Sequence, residues 1–257
     1  MTTTRRELLG TALVVGGAAA LGARPRAALG DHAKPVLPAS PSTSPAPAMA
    51  PPSSARAAYT VKPLPFDPTK LRGLSEKLLL SHHDNNYAAA VKNLNRVGEE
   101  LARVGKDTPP FVTAGLRQSE LAFTNSMILH EAYFSNLGGD GKAGGAIEKT
   151  LAEMNGGGGG FEEQFRAAAA GLAGGSGWVI LAYNLHTNEP HIYTAINHTQ
   201  SVAAGLPLLV LDMFEHAYQI DYGAAAAKYI DAFFQNVKWD EVERRLVTIR
   251  RAAAALR

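Results

Sequence analysis

Asp212 stands directly after the apolar run Leu206–Leu211, and His216 follows it four residues later. A carboxylate at the end of a buried strand is costly unless it is paired or metal-bound. Asp-x-x-x-His offers a metal one anionic oxygen and one imidazole, although that spacing also arises by chance. His130 interrupts the apolar face of one helical segment and His82 lies on another. A single histidine on an apolar helix face is more often a hydrogen-bonded core residue than a ligand. Two of them on helices that pair strengthen the case for ligands, because helix-bundle interiors are where metal sites are built. The chain of 257 residues contains no cysteine, so thiolate zinc sites, iron–sulfur clusters, disulfide scaffolds and thiol nucleophiles are excluded. Any metal is held by His, Asp and Glu.

The elements that must position these residues read as follows. Residues 78–104 lack proline and carry Tyr87, Val91, Leu94, Val97 and Leu101 on one helical stripe. Pro109 and Pro110 punctuate it. Residues 116–137 repeat the pattern through Leu121, Met127, Ile128, His130 and Phe134 until Gly138 and Gly139 stop it. Two long helices with a short connection form an antiparallel hairpin. Beyond it, residues 143–154 and 161–172 read as helices around the glycine run 156–160. That run has no Lys or Ser/Thr placed for a phosphate loop and reads as a surface loop. Residues 178–183, 191–196 and 206–211 read as short strands, with a turn at Thr187–Pro190, and residues 229–237 and 240–254 as closing helices. A helical front and a mixed rear make an α+β architecture, with an N-terminal helical hairpin domain at 61–140 and a C-terminal domain at 141–257.

Residues 1–30 read as an export signal. Arg5-Arg6 and Leu8-Leu9 precede a short apolar run, a pattern similar to a twin-arginine signal. A retained N-terminal anchor is the alternative. The predicted destination is the periplasm, the cell envelope or the medium, and this route carries folded proteins, often with their cofactor. Residues 31–60, rich in Pro, Ala and Ser, read as a disordered linker. Residues 1–30 carry four arginines and one glutamate, so the formal charge of +2 becomes −1 without them. Neither value, nor any basic stripe, points to nucleic acid.

The segment Asp212-Met213-Phe214-Glu215-His216-Ala217-Tyr218 resembles the Asp-x-Trp-Glu-His-Ala-Tyr signature of the iron/manganese superoxide dismutases. The similarity runs from about residue 64 to residue 247. It includes Pro65-Phe66, His82 before Asn93-Leu94-Asn95, His130 within residues 125–134, and Gly175-Ser176-Gly177-Trp178. The resemblance implies a helical hairpin followed by a three-stranded antiparallel sheet with helices. It also implies one iron or manganese ion per subunit on His82, His130, Asp212 and His216. Superoxide is the implied substrate, converted to oxygen and hydrogen peroxide by alternating reduction and oxidation of the metal. Trp178 matches the active-site tryptophan. Asn197-His198 aligns with an Asn-Gln pair whose glutamine hydrogen-bonds solvent at the metal, so His198 takes that role. Glu215 matches the residue that reaches the ligand histidine of a second subunit, which implies a homodimer or tetramer.

Three positions depart from the family pattern. Its gateway histidine and tyrosine correspond to Asn86 and Ala90, and the tyrosine that bridges to the gateway across the dimer corresponds to Gln219. An Asn86–Gln219 contact could replace the bridge, and the Tyr87 hydroxyl could stand in for the one lost at Ala90. Phe214 keeps an aromatic wall where the family has Trp. Ser126 stands where some iron-type members place glutamine, which supports His198 as the solvent partner. Two other readings stay open: a metal-binding homologue with weak or no dismutase activity, and a non-catalytic dimeric envelope protein.

Overall fold

In the computed structural model the described residues are 58–154 and 160–255. The signal segment, most of the linker and most of the glycine run lie outside them. The elements in chain order are α1 (Glu76–Ser81), a π-helical turn (His82–Tyr87), α2 (Ala88–Ala102), α3 (Pro110–Ser135), α4 (Gly145–Glu153), α5 (Phe161–Ala170), β1 (Trp178–Asn184), β2 (Glu189–Ala195), β3 (Gly205–Asp212), α6 (Gln219–Tyr222), α7 (Ala226–Gln235) and α8 (Trp239–Ala255). This is the α+β fold expected from the sequence. None of the described helices is long and apolar enough to cross a membrane.

Local chemistry explains the ends of these elements. Ser75 caps α1 by accepting from the Leu78 N–H at 3.1 Å. Proline at the first helical position starts α3 at Pro110, where a missing N–H costs nothing. This helix therefore begins six residues before the sequence pattern does, because its first turns are exposed and carry no apolar period. Asn188, at φ 62°, supplies the left-handed residue of the β1–β2 turn.

The expected first helix is continuous with α1 and α2 but is widened in its middle by the π-helical turn. That wider turn buries His82, His83 and Tyr87 together, and such turns are frequent at functional sites. Hydrophobic periodicity misses it because the pattern on either side stays helical. α2 packs against α3 as the expected hairpin.

The sheet is antiparallel in the order β2-β1-β3. β1, between its neighbours, is buried almost throughout. The register places Trp178 opposite Ala195 on one side and opposite Asp212 on the other. The start of β1, the end of β3 and the loop after β2 thus meet at one end of the sheet. Gly177 makes this possible, since a Cβ there would lie 2.5 Å from the Ala195 carbonyl oxygen. One hydrophobic cluster runs from Leu78 and Val91 through Phe134, Phe165 and the three strands to Trp239 and Leu246.

Among the described residues the outer edge of β3 has no partner strand, and side chains from α7, from α8 and from the residue just after α3 satisfy it. The Arg245 guanidinium donates to the Leu208 carbonyl at 2.7 Å. Asn136 accepts from the Val210 N–H at 3.0 Å and donates to the Val210 carbonyl at 3.3 Å. The Tyr229 hydroxyl donates to the Asp212 carbonyl at 2.7 Å. Asn136 is fully buried, and a buried backbone group left unpaired costs about 1–3 kcal/mol. Asn136→Ala orphans two such groups. Urea unfolding of the metal-free protein is expected to show a loss of about 2–5 kcal/mol, whereas Asp67→Ala, which removes an exposed carboxylate that caps the short turn Pro68–Lys70 by accepting from the Thr69 N–H at 3.0 Å, is expected to cost far less. Equal effects would contradict this account of the β3 edge.

Candidate metal centre

Four side chains from four elements of the fold converge at the end of β3. His82 comes from the π-helical turn, His130 from α3, Asp212 from the last residue of β3, and His216 from the single helical turn after it. One potential ligand atom from each lies within 4.8 Å of all the others. Asp212 Oδ2 is 3.0 Å from His82 Nε2, 3.2 Å from His216 Nε2 and 3.7 Å from His130 Nε2. Aromatic rings close the cluster: Tyr133 and Phe134 lie 5.2 and 5.0 Å from His82, and Trp178 packs edge-on to His130 at 5.1 Å.

The Asp212 carboxylate is completely buried. Burial alone would raise its pKa, but the adjoining His216 and His82 imidazoles outweigh that and hold it well below the usual carboxylate range. Its other oxygen, Oδ1, accepts from the Phe214 N–H at 2.8 Å. The two buried histidines are lowered as well, but by burial itself. Burial pushes His130 down to about 3, with the neighbouring His82 adding to the effect, and burial also lowers His82. The anionic carboxylate thus faces His82 and His130 as neutral imidazoles, the protonation pattern that metal ligands require.

Hydrogen bonding decides how His130 is used. Its Nδ1–H donates to the Ser126 carbonyl at 2.7 Å, so the lone pair is on Nε2. That nitrogen is buried and has no hydrogen-bond partner among the described residues, yet it faces the carboxylate. A gap of 3.7 Å is too long for a hydrogen bond. Two ligand atoms each roughly 2.1 Å from one ion stand about 3–3.6 Å apart at ordinary coordination angles. The cluster therefore fits an ion between these atoms. Three imidazoles and one carboxylate suit iron or manganese. His82 Nδ1 is likewise buried without a partner, and nothing among the described residues meets it.

Asp212, His82 and His130 are closed off, whereas the His216 side chain is 25% exposed, so the centre opens toward His216. On the neighbouring wall, the Trp178 indole N–H donates to His198 Nδ1 at 3.0 Å. Indole nitrogen only donates, so His198 Nδ1 accepts and its proton is on Nε2. Burial lowers the His198 pKa and keeps the ring neutral. Phe214 stacks on this ring at 4.6 Å, and Asn125 donates to the His198 carbonyl at 2.7 Å. The structure thus places both Trp178 and His198 beside His130.

Tyr87 packs 6.2 Å from the His130 ring. Its hydroxyl donates to Glu131 at 3.0 Å and accepts from the Lys62 N–H at 3.1 Å, and burial raises its pKa to about 12. Asn86 is half-buried, Ala90 buried, and Glu215 and Gln219 exposed. Histidines 83, 186 and 191 stand apart from the ligand set. Sequence reasoning missed Asn125 and the Ser126 carbonyl, because a loop anchor and a backbone acceptor leave no mark in residue type.

The metal-free protein has a pH signature. Between the ordinary histidine value of 6.5 and about 3 the unfolded chain binds a proton that buried His130 refuses, so unfolding free energy rises with pH across that window. Asp212 adds stability of the same sign, lost as pH falls below its ordinary 3.8. The Tm of the metal-free protein is expected to fall steadily from pH 6.5 toward pH 3, and His130→Leu to flatten the slope. A Tm independent of pH in both proteins would contradict the neutral burial of His130.

Comparison with known proteins agrees with this geometry. Residues 143–245 match the family model of the iron/manganese superoxide dismutases, C-terminal domain. An iron superoxide dismutase of Cupriavidus metallidurans is 45% identical over 188 residues, covering 73% of this chain and 95% of the relative. A manganese superoxide dismutase of Halobacterium salinarum is 33% identical over 195 residues, covering 73% and 94%. A manganese/iron superoxide dismutase of Aeropyrum pernix is 31% identical over 194 residues, covering 73% and 90%. With the four converging side chains, this similarity over most of both chains shows that the protein belongs to the iron/manganese superoxide dismutase family.

Proposed function

We propose that the protein is a superoxide dismutase that turns superoxide into oxygen and hydrogen peroxide at one iron or manganese ion. The observation that carries this reading is the buried, unpartnered Nε2 of His130 facing an ionised Asp212 between two further imidazoles. A bound iron or manganese supplies a one-electron couple that accepts an electron from one superoxide and returns it to the next. The chain's own residues do the rest. Ser126 fixes the His130 tautomer, the Phe214 N–H orients Asp212, and His216 stands at the opening through which an anion enters. His198, held by Trp178, presents Nε2–H as a neutral donor, and such outer hydrogen bonds are the main lever on a metal's potential. Tyr87 serves by packing against His130, since its hydroxyl is committed to Glu131 and Lys62.

Within the same reading, exposed Glu215 reaches the ligand histidine of a second copy, which makes the working unit a homodimer or tetramer. The Arg5-Arg6 segment exports the folded protein to the periplasm, envelope or medium. A second reading is favoured by Asn86, Ala90 and Gln219, none of which titrates where the family's gateway does: a centre that binds metal but dismutates weakly.

Superoxide decay followed directly on protein loaded with iron or with manganese, with rates per bound ion, separates the two. Fast decay with either metal is the expected result, and stoichiometric metal with negligible decay supports the second reading. His130→Ala is expected to weaken metal retention by more than the roughly 10–100-fold that losing an outer hydrogen-bond partner costs, as measured by metal analysis after dialysis. His198→Gln is expected to keep the metal while moving the rate or potential, with a rate change of about tenfold. Unchanged rate and potential would remove His198 from the mechanism.

A further inference from the structure

Arg245 lies on α8, an element that supplies no ligand, with its side chain only 12% exposed. Every arm of the guanidinium is in use. Nε pairs with Glu241 at 3.0 Å, Nη1 donates to the Leu208 carbonyl at 2.7 Å, and Nη2 donates to the Ala132 carbonyl at 3.1 Å and to the Ser135 hydroxyl. The two carbonyls belong to the two elements whose spacing defines the centre. Ala132 is two residues beyond His130 on α3, and Leu208 is four residues before Asp212 on β3. A planar, rigid fork with fixed donor directions sets a distance between its acceptors, which a flexible ammonium does not. Of the three histidines, His130 also lies farthest from Asp212 Oδ2, at 3.7 Å, and no direct hydrogen bond holds the two together.

We propose that Arg245 is a positioning residue of the metal centre, locking α3 to β3 so that His130 Nε2 and Asp212 Oδ2 stand at the separation that one ion bridges. The proposal rests on the metal-centre reading above. It differs from simple helix capping in what it predicts: a cap contributes to stability, whereas a spacer also sets the ligand arrangement felt by the ion.

The test uses the full chain loaded with iron. The rhombicity of the ferric electron paramagnetic resonance signal reports ligand arrangement, and the rate of iron release to a chelator reports retention. Arg245→Lys keeps the charge and the Glu241 pairing but cannot span both carbonyls. It is expected to shift the rhombicity and speed release about tenfold. Glu241→Gln leaves the fork on both carbonyls and is expected to give the wild-type signal and release rate even if Tm falls. Wild-type behaviour in Arg245→Lys overturns the proposal, as does an equal shift in Glu241→Gln. Should Arg245→Lys fail to fold, Arg245→Gln, whose shorter single amide cannot hold both carbonyls, is expected to move both readouts in the same direction, and an unchanged signal there overturns the proposal. A wild-type signal indifferent to His130→Ala would instead bring down the metal assignment, and this inference with it.

Discussion

One buried charge organises this protein. The Asp212 carboxylate is sealed from water at the end of an apolar strand, and an unpaired carboxylate there would cost several kcal/mol. It is tolerated because a backbone N–H holds one oxygen while the other faces three imidazoles, two of which, His82 and His130, burial keeps neutral. Four side chains drawn from three stretches of the sequence then form a donor set in which His130 Nε2 is buried with no hydrogen-bond partner among the described residues. Burial of Asp212, His82 and His130 among aromatic rings strengthens the electrostatic contacts between them.

Much of the rest of the fold serves to bring those segments together. The register of β1 sets Trp178 beside Asp212, and the loop after β2 brings His198 onto the Trp178 indole. The π-helical turn carries His82 inward without ending the helix. The free edge of β3 is tied down by Arg245 on α8, Asn136 just after α3 and Tyr229 on α7. Two of these also hold the last turn of α3, through the Ala132 and Tyr133 carbonyls. The core and the centre are therefore mechanically continuous.

A carboxylate after Leu206–Leu211 and a histidine on an apolar helix face break the hydrophobic pattern visibly, but only the family resemblance joined His82, His130, Asp212 and His216 into one ligand set. The hairpin and the three strands followed from periodicity and from glycine and proline punctuation. The early start of α3 was hidden because its exposed first turns have no apolar stripe. The π-helical turn was hidden because widening a helix by part of a turn changes which residues face inward without changing the residue types. Arg245 was hidden more deeply. Within a helix rich in arginine it looks like any solvated cation, and only tertiary structure shows its guanidinium closed on two carbonyls. Tyr87 shows the converse: its position on the first helix was readable, but the commitment of its hydroxyl to Glu131 on α3 and to the Lys62 N–H of the irregular segment before α1 depends on tertiary structure.

The central claim is that the gap among these four side chains is a place for one ion. A crystal structure of the manganese- or iron-loaded protein, with anomalous scattering recorded at the metal edge, tests it directly. The account expects a single anomalous peak bonded to Nε2 of His82, His130 and His216 and to Oδ2 of Asp212, with His130 Nδ1 still on the Ser126 carbonyl. Metal bound elsewhere, or a cluster that closes on its own hydrogen bonds with no peak between the four residues, would contradict it.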